Sequence, residues 1–242
     1  MSAITTRRPP APKSPAPEPL PDNDFGDQRI VIRGVDWDLY DRLSDAIGEG
    51  QHVRVAFDGN DLELMSTSII HENYKVIFGQ FLGALIFELA IRAINAGETT
   101  WKRVAIARGL EADHSFYFHP EKLGQCEAGI RLESYDVDDY PNPDLAVEID
   151  VSRSQVDRPG IYAALRVEEV WRFNGQSVVI GHLQPDGTYA PAESSRFLPI
   201  RASEVFRWIA EEDTIDRLAW ERRLRDGIRA ELAPRLNPPP TT

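Results

Sequence analysis

The chain has 242 residues, 42% hydrophobic and 27% charged, with a formal net charge of −12. That is ordinary globular composition, long enough for one substantial core or two small ones. A single cysteine, Cys126, excludes an intrachain disulfide framework and a cysteine-based zinc module, and the negative balance argues against a basic nucleic-acid coat protein while leaving room for an enzyme that meets nucleic acid locally through metal ions.

Seven prolines fall between Pro9 and Pro21. At that density they prevent helix and remove ladder donors, so residues 1–23 read as an extended, disordered tail, and residues 236–242 fray for the same reason. The amino terminus lacks the apolar core of a signal peptide, and the uncharged apolar run from Val76 to Phe87 is too short to span a bilayer. The expectation is a soluble, cytoplasmic protein folded between Asp24 and Arg235.

The first helix opens with Asp36 as N-cap, carries Trp37, Tyr40, Leu43 and Ile47 at helical spacing, and stops at Gly48 and Gly50. "VRVAF", a "DGN" turn and "DLELM" give a hairpin. Ser68 to Ala96 reads as one apolar helix with almost no polar face, either buried all round or partly used for a subunit interface. "WKRVAI" and "HSFYF" read as strands, with a polar loop from there through residue 140. "DLAVEIDV" is a strand, "QVDRPGIYAALR" a helix, and "VEEVWRF", Asn174-Gly175 and "SVVIGHL" a second hairpin. Ser203 caps a long final helix. Hairpin, long helix, strands, helix and strands in this order fit an α/β or α+β fold with a mixed sheet. No GxGxxG or GxxxxGK[ST] is present, so a dinucleotide or nucleoside triphosphate site has no support.

The most informative strand is residues 144–151. Alternation places Asp144, Ala146, Glu148 and Asp150 on one face and Leu145, Val147, Ile149 and Val151 on the other. The second face must be packed. Glu148 and Asp150 stand about 6.7 Å apart along the strand and can lean toward one cation; burying them without a cation or a proton is costly. The alternative is a half-exposed strand with a wet polar face. Asp113, with Glu111 two residues earlier, stands before a neighbouring strand and would supply a second ligand for a hard cation such as magnesium.

These residues carry a resemblance. "NPDLAVEIDVSRSQVDRPGIYAALRVEEVWRFNG", supported by "VAFDGNDLELMSTSIIHENYK" and "TTWKRVAIARGLEADHSFYF", resembles the bacterial Uma-two family of predicted nucleases in the PD-(D/E)XK, restriction-endonuclease-like superfamily, over about residues 35 to 185. The resemblance implies a restriction-endonuclease-like core, a mixed β-sheet flanked by helices, with a divalent metal held on the strands. Carried over, the acid of the first half-motif falls on Asp113, where Ala112 replaces the family's proline, and that of the second on Glu148. Asp150 stands in the usual lysine slot, and Arg158, four residues before Tyr162, takes the later basic position. An arginine can stabilise charge on phosphate but is too basic to accept a proton, so the metal must generate the nucleophile from bound water. Asp150 is then a third ligand or orients a metal-bound water; alternatively its charge marks a lost activity.

In "HENYK", His71, Glu72 and Lys75 fall within one helical turn. Glu72 suits the positive helix end and His71 a cap position; the resemblance instead has the helix lend Glu72 or His71 to the site. Lys75, one of four lysines, is a fallback for the missing one. His114 and His119 read as surface histidines, since no HExxH or cysteine partner supports zinc. Cys126 lies in a polar stretch without a histidine partner, which speaks against a catalytic thiol. Arg153, Arg158, Arg166 and Arg172, with Lys102, Arg103 and Arg108, either balance nearby acids or form a phosphate-binding rim.

The expectation is a disordered tail over 1–23, one domain over 24–202, a carboxy-terminal helix over 203–235 and a tail over 236–242. Its function would be a Mg²⁺- or Mn²⁺-dependent endonuclease acting on DNA, working as a homodimer without a membrane. Asp113, Glu148 and Asp150 would hold the metal, Glu72 would assist, and Arg158 would stabilise the transition state. The rival is a catalytically inactive nuclease fold used as a binding or assembly module.

Overall fold

The computed structural model describes residues 26–48, 52–210 and 212–236. Both expected tails lie outside them, Leu236 apart, as does Gly50. The chain runs β1 (Gln28–Arg33), α1 (Trp37–Ile47), β2 (Val53–Phe57), β3 (Asp61–Ser66), α2 (Ile69–Glu88), β4 (Ile94–Gly97), β5 (Thr100–Arg103), β6 (Arg108–Glu111), β7 (His114–Tyr117), α3 (Pro120–Arg131), β8 (Leu145–Ile149), α4 (Arg158–Ala164), β9 (Glu169–Phe173), β10 (Val178–Leu183), β11 (Tyr189–Ala192), α5 (Ala202–Ile209) and α6 (Arg217–Gly227). A π-turn over Ile228–Leu232 and a final short helix, α7 (Ala233–Leu236), follow.

Two sheets result. One is antiparallel, in the order β1-β3-β2-β6-β5; the other is β11-β10-β9-β8-β7-β4. The second is mixed, because β8 pairs parallel with β9 and antiparallel with β7. The α4 crossover makes the parallel pairing possible. The result is the mixed α+β architecture of a restriction-endonuclease-like fold, with helices against both sheets.

The chain passes between the sheets at two adjacent places. Thr100 pairs with Glu111 at one sheet edge, and Gly97 with Ser115 at the other. The Glu98–Thr99 turn therefore lies opposite the Ala112–Asp113 corner. Arg54, Glu98, Glu111 and Asp113 gather at this junction.

Helix α2 organises the larger core. Its Ile77, Phe78, Phe81, Leu82 and Leu85 pack with Leu145, Val147 and Ile149 of β8, Trp171 and Phe173 of β9, and Trp220 and Leu224 of α6. A second cluster, with Ala146, Ile161 and Tyr162, fills the other side of β8. Both faces of β8 are thus covered, and Asp144, Glu148 and Asp150 are all buried. The wet-face alternative is overturned, since no side of this strand meets water.

Other expectations change in detail. The apolar helix ends at Glu88, not Ala96, because Ala90 turns left-handed and the Ile91 N–H closes on the Ile86 carbonyl. Such a stop normally uses glycine, and its absence hid the boundary; Ile94–Gly97 forms β4 instead. The supposed polar loop after "HSFYF" holds α3, which opens on Pro120 and buries Leu123, Cys126 and Gly129. Arg201, not Ser203, caps the helix that follows, with the Glu204 carboxylate accepting its N–H at 2.9 Å. The long final helix is broken into α5, α6 and α7. Strands β1, β6 and β11 were not anticipated, and "WKRVAI" leaves the sheet after Arg103 for a 3₁₀ turn.

Candidate active site

Asp113 sits at the sheet-to-sheet corner and is fully buried. One oxygen, Oδ2, accepts the Ile149 N–H at 2.7 Å, so the side chain continues the β7–β8 ladder. The other, Oδ1, accepts from Nε2 of His71 at 2.9 Å and from Nη1 of Arg54. The opposite ring nitrogen of His71, Nδ1, lies 3.2 Å from Asp27, whose carboxylate also accepts from the Ser68 N–H at 2.7 Å and the Ser152 hydroxyl at 3.0 Å. Asp27, His71, Asp113 and Arg54 therefore alternate in sign through the interior. Burial alone would push the imidazole pKa down; hydrogen bonds to Asp113 and Asp27 reverse this and raise it to about 9. Burial works against ionisation of Asp113 as well, but Arg54 and His71 hold it well below the usual carboxylate range.

Arg54 comes from β2, where Val55 and Phe57 pack toward α1 on the opposite face. Besides Asp113, its guanidinium approaches Glu98 at 3.5 Å, Glu111 at 3.7 Å and Glu72 at 4.0 Å. Burial, with the charges of Glu98 and Asp113, pushes the Glu111 carboxyl up to about 7 against the pull of Arg54. Glu111 also lines a cavity of about 460 Å³ beside β5, with Val55, Thr100, Lys102 and Tyr135 among its walls.

Glu148 lies on the α4 side of β8. Arg158 Nη2 donates to both its oxygens at 2.6 Å and to the Glu111 carbonyl at 3.1 Å, and the Tyr162 hydroxyl donates to Oε1. The sequence sets this up locally. Asp157 caps α4 by accepting the Gly160 N–H at 3.0 Å, which fixes Arg158 as the first helical residue and Tyr162 one turn later. Burial raises the Glu148 pKa, with help from Asp113 and Asp150 and against Arg158. Asp150 accepts from Arg172 Nε at 2.6 Å.

The structure thus brings Asp113, Glu148, Arg158 and Asp150 into one buried charged region, with Glu72 at its rim. Each carboxylate has its own cation: Arg54 and His71 at Asp113, Arg158 at Glu148, Arg172 at Asp150. Among the described residues, the trio whose ligand atoms lie within 4.8 Å of one another is a different one, His119, Asp144 and Glu168. There Asp144 accepts the Phe118 and His119 N–H groups at 2.7 and 2.9 Å and pairs with Lys122 at 2.6 Å, a role that orders the start of α3.

A matching sequence profile decides the family. The Uma2 profile, described as "Putative restriction endonuclease", covers residues 37–212. The chain belongs to the Uma2 family. No curated protein matches it. The Uma2 profile spans Asp113, Glu148, Asp150, Arg158 and Glu72 alike, so every expected site residue lies in the matched region.

Several side chains at the site escaped the sequence reading. Arg54 was detectable, since alternation in "VRVAF" sets it opposite an apolar face. Asp27 was not, because it precedes an unanticipated strand. His114 is not a surface histidine: its Nε2 lies 2.8 Å from the Lys75 carbonyl, and a Cβ on Gly79 of α2 would come within 3.0 Å of its ring. His119 does reach the surface, paired with Glu168 at 3.0 Å. Of the basic residues weighed as a phosphate rim, Arg158 and Arg172 balance Glu148 and Asp150, Lys102 pairs with Asp41 and Asp45, and Arg103 with Asp138. Cys126 is buried on α3, where burial pushes its thiol pKa up.

Proposed function

We propose that this protein is a metal-dependent endonuclease that hydrolyses DNA phosphodiester bonds in the cytoplasm, with Asp113 and Glu148 as the carboxylates that hold Mg²⁺ or Mn²⁺. The observation that carries the reading is the burial of these two carboxylates, from β8 and the corner before β7, near enough for Asp113 to raise the Glu148 pKa, in a member of the family described as "Putative restriction endonuclease". Their donors are all oxygen, which suits a hard divalent cation in kind. Arg54 and Arg158 supply the compensating charge here, so Asp113 and Glu148 would hold a cation only in place of a guanidinium; such an ion would supply a water of lowered pKa and polarise a phosphate oxygen.

The remaining work falls to the chain. His71, itself held by Asp27, fixes the carboxylate plane of Asp113. Tyr162 does the same for Glu148. Arg158, once released from Glu148, is placed to balance negative charge developing on a phosphate. Asp150 is paired with Arg172, which offsets part of its charge although it still raises the Glu148 pKa; from the lysine slot it would act as an assisting oxygen rather than a proton acceptor. Glu72 assists from the rim. The exposed stripe Ile69, Val76 and Phe87, which share one face of α2, is the surface through which two copies would pair.

One observation favours the rival reading, a silent nuclease fold serving as a binding module. Each expected metal ligand is already charge-balanced. Incubation of supercoiled plasmid with Mg²⁺ or Mn²⁺ separates the two. Nicking by the wild type that vanishes with Glu148→Gln and with EDTA is expected; no nicking under either metal would favour the module.

A further inference from the structure

The least buried partner of Arg54 is Glu98. It projects from the two-residue turn between β4 and β5, with its side chain 47% exposed. One oxygen, Oε2, lies 2.9 Å from Lys75 Nζ and 3.5 Å from Arg54 Nη2. Two cations from different elements, β2 and α2, thus converge on a single carboxylate oxygen. Each is buried along its length, Arg54 at 4% and Lys75 at 12% side-chain exposure, so both stems are held while both charged ends face the same point. We propose that Arg54 and Lys75 form a binding subsite for one backbone phosphodiester, and that Glu98 occupies it until nucleic acid replaces it.

Three features point to that ligand class. Charge is conserved in the exchange, because a phosphodiester and the Glu98 carboxylate each carry one negative charge. A planar guanidinium and a lysine ammonium at one oxygen form the donor set that takes phosphate oxygens. The other carboxylates around Arg54 are poorer candidates for displacement: Asp113 is fully buried and tied to His71 and Ile149, Glu111 is only 14% exposed and fixed on β6, and Glu72 bonds Lys75 at 2.7 Å within its own helix. Glu98 instead sits on a turn, and exposed ion pairs of this kind are weak. The subsite adjoins Asp113 through Arg54. The identity of the ligand as nucleic acid rests on the nuclease reading; the cationic pair and its displaceable carboxylate do not.

The test is binding of a fluorescein-labelled DNA oligonucleotide to the full chain in EDTA, read by anisotropy at several salt concentrations. Glu98→Gln is expected to bind about fivefold tighter than wild type, the size of one exposed ion pair, with a salt dependence steeper by about one phosphate contact. Adding Lys75→Met to Glu98→Gln is expected to remove the gain. Unchanged affinity in Glu98→Gln, a gain that survives Lys75→Met, or no measurable binding by either protein would each overturn the subsite. Because Glu98 is half-exposed, the wild-type unfolding midpoint is expected to be retained and serves as the folding control. Metal and cleavage are absent from the measurement, so a protein that gains affinity but never nicks plasmid keeps the subsite and loses the nuclease. One that nicks plasmid but shows no Glu98 effect does the reverse.

Discussion

Buried charge is expensive unless it is paired and hydrogen-bonded, and at Asp113 the pairing reaches through the His71 ring to Asp27. His71 is central to that chain. Its folded pKa of about 9 lies above the ordinary 6.5. Its contribution is therefore fully present below about pH 6.5 and is lost as pH rises through about 9, up to roughly 3 kcal/mol from the size of the shift. Thermal unfolding followed between about pH 6 and pH 10 should show the wild-type midpoint falling on the alkaline side, and His71→Gln, lower throughout, lacking that step; parallel profiles would contradict the role. This is also where the sequence was least legible. The acids on residues 144–151 were readable from period-two alternation, and Asp113 and Arg158 from the family pattern. Which cation pairs with which acid was not, because Arg54, His71 and Arg172 are separated from their partners by between 22 and 59 positions and only the fold brings them together.

At the scale of elements, α2 sets the site by position rather than by chemistry alone. Ser68 caps it and accepts the His71 N–H at 3.2 Å, which fixes the rotation that buries His71 and leaves Glu72 and Lys75 at the rim. The apolar side then locks this rotation against β8. Phe81→Ala should cost about 3–5 kcal/mol of stability through lost burial and the cavity left behind, whereas Phe87→Ala on the 74% exposed side should cost clearly less, limited to its contact with Arg225 and the pairing of two copies. Denaturant unfolding distinguishes the two, and similar losses would mean that the two faces of α2 are misassigned. The helix start was legible from its cap and period, but its end was not, since alanine rather than glycine takes the left-handed turn at residue 90. Helix α3 was missed for a related reason. Its amphipathic side rests on Leu123, Cys126 and a glycine packed against Tyr140, too sparse a pattern to stand out from a polar loop.

The whole molecule is two sheets joined at a corner, and that corner carries the charged region. The overall class was legible because strand and helix periods alternate clearly along the chain; the division into two sheets was not, because β1, β6 and β11 are short or edge elements with little periodicity. No described helix is long and apolar enough to cross a membrane. Pairing of two copies through Ile69, Val76 and Phe87 should give a dimer by sedimentation at micromolar concentration, and Val76→Glu should shift it to monomer; a wild type that sediments as a monomer would remove that interface. The same corner places two carboxylates beside two guanidinium groups, so the decisive matter is whether a divalent cation takes the place of the latter. The most direct measurement is the unfolding temperature with and without Mn²⁺ for wild type, Asp113→Asn and Glu148→Gln. A Mn²⁺-dependent rise in the wild type that is lost in both variants is the predicted result; no rise in the wild type, or a rise that persists in both variants, would contradict the assignment of Asp113 and Glu148 as the metal-holding pair.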